Sequence, residues 1–433
     1  MAVKKGYKQT EVGVIPEDWD CAQIGQLATT SSGTTPSRSS YDRYFKNGSI
    51  NWVKTLDLNN GIVAKTDERV TAKALDETSL SVFPTGTVLV AMYGGFMQIG
   101  RTGILAIPAC VNQALTAIKC NIADLKPAYL LWVLNHRVEY WKSVASSSRK
   151  DPNITSKEIR EFPIPLPPTL AEQEAIAGAL SDADAWIESL EQLIAKKRQI
   201  KQGAMQELLT GKRRLPGFSG EWETKRLGEF LVSHPQYGIN AAAVPYSDKL
   251  PVYIRITDIT EYGQYAPNPR VCVQASAVSG YFLADGDLVV ARTGASVGKS
   301  YRYRIADGPL VFAGFLIRIR PNAQQLNPRF LEGYVAGEKY WNWVRLMSMR
   351  SGQPGINGNE YAQLPIELPA IAEQTAIATV LSDMDTEIES LESKLAKARE
   401  IKQGMMQELL TGKIRLVKSS AVSANPQEMS HDR

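Results

Sequence analysis

Residues 172–215 read EQEAIAGALSDADAWIESLEQLIAKKRQIKQGAMQELLTGKRRL, and residues 373–416 repeat them as EQTAIATVLSDMDTEIESLESKLAKAREIKQGMMQELLTGKIRL. About 31 of the 44 aligned positions are identical, far more than shared helical composition produces, so the similarity marks an internal duplication. The blocks that precede the two copies are much less alike. We therefore expect the two similar long segments to serve as a structural frame. We expect the two diverged blocks to discriminate between binding targets.

The duplication extends into the blocks themselves. A shift of about 200 residues places Gly86–Ala91 on Gly286–Ala291 and Trp52–Leu58 on Tyr253–Ile259. Each half of the chain is therefore a globular block followed by a long helix. A tandem pair of this kind predicts a pseudo-twofold particle that reads two related but unequal objects.

Length and composition fit two domains. A chain of 433 residues is long enough for two ordinary domains and extended helices. The net charge of +4 neither requires nor excludes a polyanionic partner. The cysteines Cys21, Cys110, Cys120 and Cys272 form no paired motif, which favours a reduced interior over a disulfide frame or a zinc site. The N-terminus lacks an apolar leader and no window reaches the length of a membrane span, so we expect a cytoplasmic protein.

Each block is predicted to mix strands with helices, which gives an α+β fold. Short apolar or alternating runs broken by Gly, Pro and Asn predict strands. These runs lie at 50–58, 86–92, 103–107 and 115–120 in the first block, and at 252–259, 287–292 and 310–319 in the second. Helices are predicted after Pro127 and Pro328. Proline-rich segments end each block and predict a defined joint to the long helix.

These signals divide the chain into five parts. The predicted parts are a first block at 1–165, a first long helix at 166–213, a second block at 214–367, a second long helix at 368–416, and a polar tail at 417–433. The composition of the tail predicts disorder.

The long helices carry an apolar seam that recurs every seven residues. Its predicted members are Leu180, Ile187, Leu190, Ile194 and Leu208 in the first helix, and Leu381, Ile388, Leu391, Leu395 and Leu409 in the second. This pattern predicts that the helices pair as a coiled coil, with Lys201 and Lys402 at matching seam positions that could fix the register. The alternative is two separate surface helices that each pack on their own domain. Gly203 and Gly404 lie inside the helices, where we expect a close approach between helices.

One glycine-rich segment, RTGASVGKSY at Arg292–Tyr301, resembles a phosphate-binding loop. That loop needs the spacing G-x-x-x-x-G-K-[ST] and must lead into a helix, and neither block meets both conditions. In the first block the corresponding Gly95–Thr102 carries Arg101 in place of lysine. We therefore expect a loop between strands, with Arg101 or Lys299 near its tip, that could approach a nucleic-acid backbone closely. A merely tight turn is the alternative.

Catalytic motifs are not evident in the sequence. His136, His234 and His431 have no matching partners between the blocks, which disfavours metal sites and histidine-dependent catalysis. Asp57 and Asp258 do correspond, but one carboxylate per block is more typical of a turn or a strand end. No methyltransferase signature or fingerprint for S-adenosylmethionine is present. We expect a protein that is not an enzyme and that binds no cofactor or metal.

Polar and basic side chains recur on loops at equivalent places in the two blocks. Such side chains read base edges or neutralise phosphates, although each one alone is more often a solvated surface group. The candidate DNA-binding residues are Ser37, Arg38, Lys54, Tyr93, Gln98, Arg101, Asn112, Gln113, Arg149, Lys150 and Asn153 in the first block, and Arg255, Arg292, Ser296, Lys299, Arg302, Arg350, Gln353 and Asn357 in the second.

Several of these motifs together resemble the specificity subunit of type I restriction–modification enzymes. They are GYKQTEVGVIPEDWD at the start, SGTTPS at Ser32–Ser37, GTVLVAMYG at Gly86–Gly94, VNQAL at Val111–Leu115, DPNIT at Asp151–Thr155 and both QELLTGK helix ends. The resemblance covers nearly the whole chain. It implies that residues 1–165 and 214–367 are target-recognition domains, each reading one half of an asymmetric bipartite DNA site. It also implies that the two long helices form an antiparallel coiled coil that sets the spacer.

The same resemblance implies partners and cofactors outside this chain. Two modification subunits would dock on it and carry S-adenosylmethionine for adenine methylation. Restriction subunits would add ATP- and Mg-dependent translocation and cleavage. Two alternative hypotheses remain: a structural scaffold without sequence specificity, and an enzyme that acts alone.

Overall fold

A computed structural model describes residues 4–95, 97–145, 153–275, 277–349 and 353–417. The chain divides into two compact units. The first comprises Met1–Ser189 and Leu395–Arg433, and the second comprises Leu190–Lys394. Each division falls within a long helix, not at the proline-rich joint before it. Each unit therefore contains one globular domain, the first half of the helix that follows it, and the second half of the other helix.

Among its described residues, the first unit has twelve strands and six short α-helices before the first long helix. The strands are β1 (Tyr7–Thr10), β2 (Gly13–Pro16), β3 (Asp20–Gln23), β4 (Ala28–Ser32), β5 (Ile50–Val53), β6 (Gly61–Val63), β7 (Glu68–Val70), β8 (Val88–Ala91), β9 (Thr102–Leu105), β10 (Cys110–Val111), β11 (Leu115–Cys120) and β12 (Pro163–Leu166). The helices are α1 (Ile24–Leu27), α2 (Tyr41–Tyr44), α3 (Ala72–Glu77), α4 (Pro127–His136), α5 (Val138–Ala145), α6 (Ser156–Arg160) and the long α7 (Leu170–Leu208).

Two sheets form the body of the first domain. A five-stranded sheet has the order β4-β11-β8-β9-β6, and a three-stranded sheet has the order β10-β5-β7. The central strand β8 is buried at all four residues, as its unbroken apolar sequence VLVA predicts. Smaller pairs, β1 with β2 and β3 with β12, complete the domain. The pairing of β12 with β3 ties the proline-rich exit to the start of the block.

The second unit repeats this plan with shorter strands. They are β13 (Glu223–Arg226), β14 (Gln236–Tyr237), β15 (Ala243–Pro245), β16 (Val252–Ile254), β17 (Val271–Val273), β18 (Leu288–Ala291), β19 (Ser300–Arg302), β20 (Leu310–Phe312), β21 (Leu316–Ile319) and β22 (Pro365–Leu368). The helices are α8 (Pro328–Ala336), α9 (Glu338–Ser348), α10 (Gly358–Ala362) and the long α11 (Ile371–Leu409). Two four-stranded sheets have the orders β14-β21-β18-β19 and β15-β17-β16-β20. The α+β fold predicted from the sequence is confirmed in both units.

Two predicted strands are shorter than the sequence pattern suggests. The run 50–58 is a strand only over its first four residues, as β5. The backbone amide of Lys54 then donates to a carboxylate oxygen of Asp57 at 2.7 Å and starts one 3₁₀ turn. Arg255 and Asp258 repeat this arrangement at 2.8 Å, which confirms the turn role expected for both aspartates. The run 310–319 is likewise two strands, β20 and β21, joined by a turn.

The core of each unit joins the domain to the two helix halves. In the first unit the stacked rings of Trp141 and Phe162, with centroids 4.5 Å apart, lie in one apolar cluster with Leu180 of α7 and Leu409 of α11. The second unit has the corresponding cluster around Tyr340. The helices are therefore part of each domain's core, and a change in their sequence would affect domain stability.

Within each unit the two long helices run antiparallel. In the second unit Lys201 pairs with Asp385, and Arg198 lies 2.5 Å from Glu392, so the residue number falls on α7 as it rises on α11. In the first unit the other seam lysine, Lys402, pairs with an aspartate of α7 in the same way. The predicted pairing of the helices as an antiparallel coiled coil is confirmed.

The predicted seam residues are buried with one exception. Leu180, Ile187, Leu190, Ile194, Leu208, Leu381, Ile388, Leu391 and Leu409 are all less than 10% exposed. Leu395 is half-buried. Each seam lysine keeps its ammonium paired with a carboxylate of the facing helix, which offsets the cost of placing a charge in an apolar seam.

Two bidentate ion pairs fix the helix ends. In the first unit the guanidinium of Arg415 holds Glu172, a carboxylate that is 2% exposed, through Nε and Nη2, and the third nitrogen, Nη1, reaches Asp18 at 3.0 Å. In the second unit Arg214 holds Glu373, also 2% exposed, at 2.5 Å. Each pair joins the segment that follows one helix to the first turn of the other helix.

The expectation for the helix glycines is wrong. A Cβ atom built on Gly203 or Gly404 would meet no atom within 4 Å. Neither glycine is therefore required by a close approach between helices in this structure. None of the helices in the described ranges is long and apolar enough to cross a membrane. The predicted tail lies outside the described residues from position 418 onward.

Candidate nucleic-acid interface

In the second unit, five segments of the chain converge on one cleft of about 570 Å³. They are the loop after β14, the end of β16, the loop between β18 and β19, the turn between β20 and β21, and the segment before α10. Three of the five contain candidate residues predicted from the sequence, namely Arg255, Ser296 and Gln353. The folding of the domain therefore brings together segments that are more than 100 residues apart in the chain.

A glycine sets the first contact between these segments. A Cβ atom on Gly238 would lie 2.3 Å from the carbonyl oxygens of Phe312 and Ala313, so no larger residue fits there. The next amide, Ile239, donates to Phe312 at 2.8 Å. The loop after β14 is thereby fixed against the turn between β20 and β21.

The glycine-rich loop is fixed by the segment before α10. The amide of Gly294 donates to Pro354 at 2.9 Å, and the amide of Ile356 donates to Arg292 at 2.9 Å. Gly294 has a φ of +76°, which favours glycine. A single 3₁₀ turn follows and the chain enters β19, so the loop lies between strands and is not a phosphate-binding loop of the nucleotide-hydrolase type.

Arg255 lines the cleft with a guanidinium that is held in place. Its Nε and Nη2 atoms donate to Asp258 at 3.0 and 2.7 Å, and Asp258 is 1% exposed. The hydrogen bond to Asp258 raises the pKa of Arg255, with burial acting in the opposite direction. Nη2 also reaches the carbonyl of Pro269 at 3.3 Å. A guanidinium fixed on two nitrogens presents its remaining donors in one direction.

Arg292, Ser296 and Lys299 lie along the glycine-rich loop. The guanidinium of Arg292 lies 4.8 Å from the centroid of the Tyr237 ring and 3.5 Å from the carbonyl of Gly314. Ser296 lines the cleft. The side chain of Lys299 is half-buried and has no hydrogen-bond or ionic partner among the residues that the structure describes.

Gln353 and Phe315 form the rim of the same cleft. Gln353 is exposed. Phe315 is 62% exposed and lies in the turn between β20 and β21. Sequence reasoning missed Phe315, although a large aromatic residue between two strand signals could have indicated a contact surface.

Two other candidates of the second block serve the fold, and a third is not described by the structure. Arg302 is 7% exposed and pairs with Glu332 at 2.7 Å, so its charge is used inside the domain. Asn357 is the N-cap of α10, and its side chain accepts from the amide of Glu360 at 2.9 Å. Arg350 lies outside the described residues.

The first unit repeats the same convergence of loops. A Cβ atom on Gly33 would lie 2.1 Å from the carbonyl oxygen of Val111. No larger residue therefore fits at Gly33, as at Gly238 in the second unit. The amide of Thr34 donates to Val111 at 3.0 Å, and the amide of Ile154 donates to Met92 at 3.0 Å. The SGTTPS, VNQAL and glycine-rich segments and the residues before α6 therefore lie together.

Ser37, Arg38 and Lys54 lie at one side of this cluster. Ser37 is exposed and its hydroxyl lies 2.7 Å from that of Ser39. Arg38 and Lys54 both pair with Glu68, each at 2.8 Å. Sequence reasoning missed Glu68, because nothing in its spacing links it to either cation.

Tyr93, Gln98 and Arg101 lie on the glycine-rich loop of the first unit. Tyr93 is 42% exposed, whereas Gln98 and Arg101 are half-buried. The side chain of Arg101 has no ionic or hydrogen-bond partner in the described part of the chain. Gly100 has a φ of +76° and lies against Trp141, which fixes the base of the loop.

The remaining candidates of the first block occupy the neighbouring loops. Gln113 is exposed, and Asn112 is half-buried with its Oδ1 atom lacking a hydrogen-bond partner among the described residues. Asn153 is half-buried at the start of the segment that leads into α6. Arg149 and Lys150 lie outside the described residues.

The two clusters offer donors and aromatic faces. Guanidinium, ammonium, amide and hydroxyl groups can donate to base edges or phosphates, and small side chains such as Ala295 leave room for a close approach. Within the described ranges, no group of three or more His, Cys, Asp or Glu residues could hold a metal ion.

Comparison with known proteins identifies the family. The family model for the type I restriction modification DNA specificity domain matches residues 16–202 and again residues 219–400. The MjaVIII specificity subunit of Methanocaldococcus jannaschii is 23% identical, over 95% of this chain and 97% of that protein. The EcoKI specificity subunit of Escherichia coli is 24% identical, over 93% of this chain and 90% of that protein.

A solved structure shares the fold. The S subunit of a type I restriction–modification system from M. genitalium has a TM-score of 0.59 and 15% identity, covering 94% of this chain and 98% of that chain. Two family matches, one in each half of the chain, and relatives that align over nearly their full length agree with the duplicated architecture. This chain belongs to the family of type I restriction–modification DNA specificity subunits.

Proposed function

We propose that this chain reads an asymmetric, two-part DNA site, with one half-site assigned to each domain. The observation that carries the proposal is the recurrence of one loop cluster in both units with different side chains. The strand-end cation is Lys54 in one and Arg255 in the other, and the amides Asn112 and Gln113 have small counterparts in the second. Two domains with the same fold but different loop side chains are suited to two different half-sites.

The partners follow from the family and from the frame of long helices. We propose that two modification subunits dock on this chain, bring S-adenosylmethionine and methylate adenine. Restriction subunits would add ATP and Mg for translocation and cleavage. In this proposal the chain itself binds DNA, contributes no catalytic group and holds no cofactor. The candidate residues support this division, because they are donors for bases and phosphates.

The test is to co-express the chain with the modification subunit encoded beside it and to map methylated adenines by single-molecule sequencing. We expect a split motif with a fixed gap and two different halves. Methylation without sequence preference, from a partner that is active, would contradict the proposal and favour a non-specific scaffold. Methylation by the purified chain alone would contradict the non-catalytic role.

A further inference from the structure

One carboxylate in the first unit holds two of the cations at the loop cluster. Glu68 lies in β7, directly opposite Trp52 of β5. Its Oε1 atom is 2.8 Å from the ammonium of Lys54, and its Oε2 atom is 2.8 Å from Nη1 of Arg38. Lys54 follows β5, and Arg38 follows the SGTTPS loop. The two segments therefore share one acidic partner.

Arg38 has further contacts that fix it. The guanidinium carbon of Arg38 lies 4.3 Å from the centroid of the Phe45 ring and 5.3 Å from that of Trp52. The indole of Trp52 donates to the carbonyl of Thr34 at 3.2 Å, which ties the SGTTPS loop to the same group. The side chains of Arg38, Lys54 and Glu68 remain 48%, 23% and 31% exposed, so the cluster is accessible to a ligand.

The ion pair with Arg38, helped by Lys54 and opposed by burial, lowers the pKa of Glu68, so the carboxylate stays ionised at neutral pH. Glu68 thus pairs with two cations at once. In the second domain a different residue pairs with the strand-end cation: Asp258 follows Arg255 in the chain and pairs with that cation alone.

This arrangement has a consequence for recognition. A lysine on a flexible stem pairs with the nearest phosphate, and phosphate contacts carry no sequence information. A cation held by a carboxylate gives up part of that attraction and keeps a fixed direction for its donors. Donors with a fixed direction are suited to hydrogen bonds with base edges in the major groove.

We propose that Glu68 is a positioning residue for sequence recognition by the first domain: it holds Lys54 and Arg38 toward base edges and keeps them from the phosphate backbone. The inference rests on the proposed function of the chain. It adds an acidic residue to a surface whose other candidates are donors. It also predicts that removing this acid strengthens binding and weakens selectivity.

The test uses the complex with its modification subunits and two matched variants, Glu68→Gln and Glu77→Gln. Both remove one negative charge from the same domain. Glu77 is also paired with an arginine, Arg43, at 2.5 Å, but it lies on α3 and pairs with neither Arg38 nor Lys54 in the part of the chain that the structure describes. The probes are a duplex that carries the motif mapped for the wild-type complex and a set of duplexes that each change one position of it.

For Glu68→Gln we expect about tenfold less discrimination at positions in one half of the motif, and unchanged discrimination in the other half. We also expect tighter binding to unrelated duplex, with the slope of log affinity against log salt steeper by about 1, since one more phosphate contact forms. Glu77→Gln is expected to match the wild type in both measurements. Equal behaviour of the two variants would overturn the inference.

Melting curves of both variants guard against misfolding. If the Glu68→Gln complex does not assemble, Glu68→Asp is measured instead, since it keeps the charge but is one methylene too short to hold both cations. We expect this variant to lose discrimination in the same half with an unchanged salt slope, and wild-type discrimination would overturn the inference. A wild-type complex without sequence preference would refute the proposed function itself, which is a separate outcome.

Discussion

Gly203 and Gly404 occupy the same place in the two long helices and face open space. A glycine in a helix interior costs roughly 0.5–1 kcal/mol relative to alanine, because it fixes a more flexible backbone. Gly203→Ala and Gly404→Ala are therefore expected to raise the melting temperature of the isolated chain, additively in the double variant. A fall in the melting temperature of either variant would show that the glycine is needed for a close contact.

Lys299 is the clearest candidate for a phosphate contact, since its ammonium has no partner in the part of the chain that the structure describes. We expect Lys299→Ala to weaken binding of the complex to all duplexes about equally and to reduce the salt slope by about 1. The measurement is a salt titration of DNA affinity. Lys249→Ala, which changes an exposed lysine of the same domain outside the cleft, is the control. A loss confined to one duplex sequence would assign Lys299 to a base.

Residues whose role depends on partners distant in the chain could not be assigned from the sequence. The glycine-rich loops and their place between strands could be predicted, because glycine spacing and strand patterns are local. Arg302 and Asn357 could not be assigned correctly to the core and to a helix cap, because both roles depend on partners in the fold. Glu68 and Phe315 were missed for the same reason. Their importance comes from neighbours that are distant in the chain.

At the scale of elements, the heptad pattern carried most of the information. An apolar residue every seven positions predicts which face of each helix is buried, and nine of the ten predicted seam residues are buried. The direction of pairing required the family resemblance, since a heptad seam suits parallel and antiparallel helices alike. The ion pairs of Lys201 and Lys402 with aspartates of the facing helix show how the charged seam positions are accommodated.

The ion pair at the end of α11 gives a prediction for this element. Arg415→Ala would leave the buried carboxylate of Glu172 without its partner. We expect a loss of about 2 kcal/mol, below the 3–5 kcal/mol of a fully buried pair because a quarter of the arginine side chain is exposed. Thermal unfolding of the isolated chain measures it. Lys413→Ala, which breaks a more exposed pair two residues away, is the control and is expected to have little effect. Equal melting temperatures for both variants would contradict a structural role for Arg415.

At the scale of the whole molecule, duplication explains why the two long helices have similar sequences and why the two loop clusters differ. The helices keep about 31 of 44 positions because each must complete the core of its own domain and the seam with the other helix. The loop clusters are free of these constraints and differ between the domains at the strand-end cation, at the amide-bearing turn and along the glycine-rich loop. This division of roles predicts that recognition can be exchanged one domain at a time.

The most direct test exchanges residues 1–165 for the corresponding block of another specificity subunit and maps methylated adenines in cells that supply the modification subunit. We expect one half of the split motif to change while the other half stays the same. Exchange of residues 214–367 should change the opposite half. A motif that stays unchanged, or that changes in both halves, after the first exchange would contradict the claim that each domain reads its own half-site.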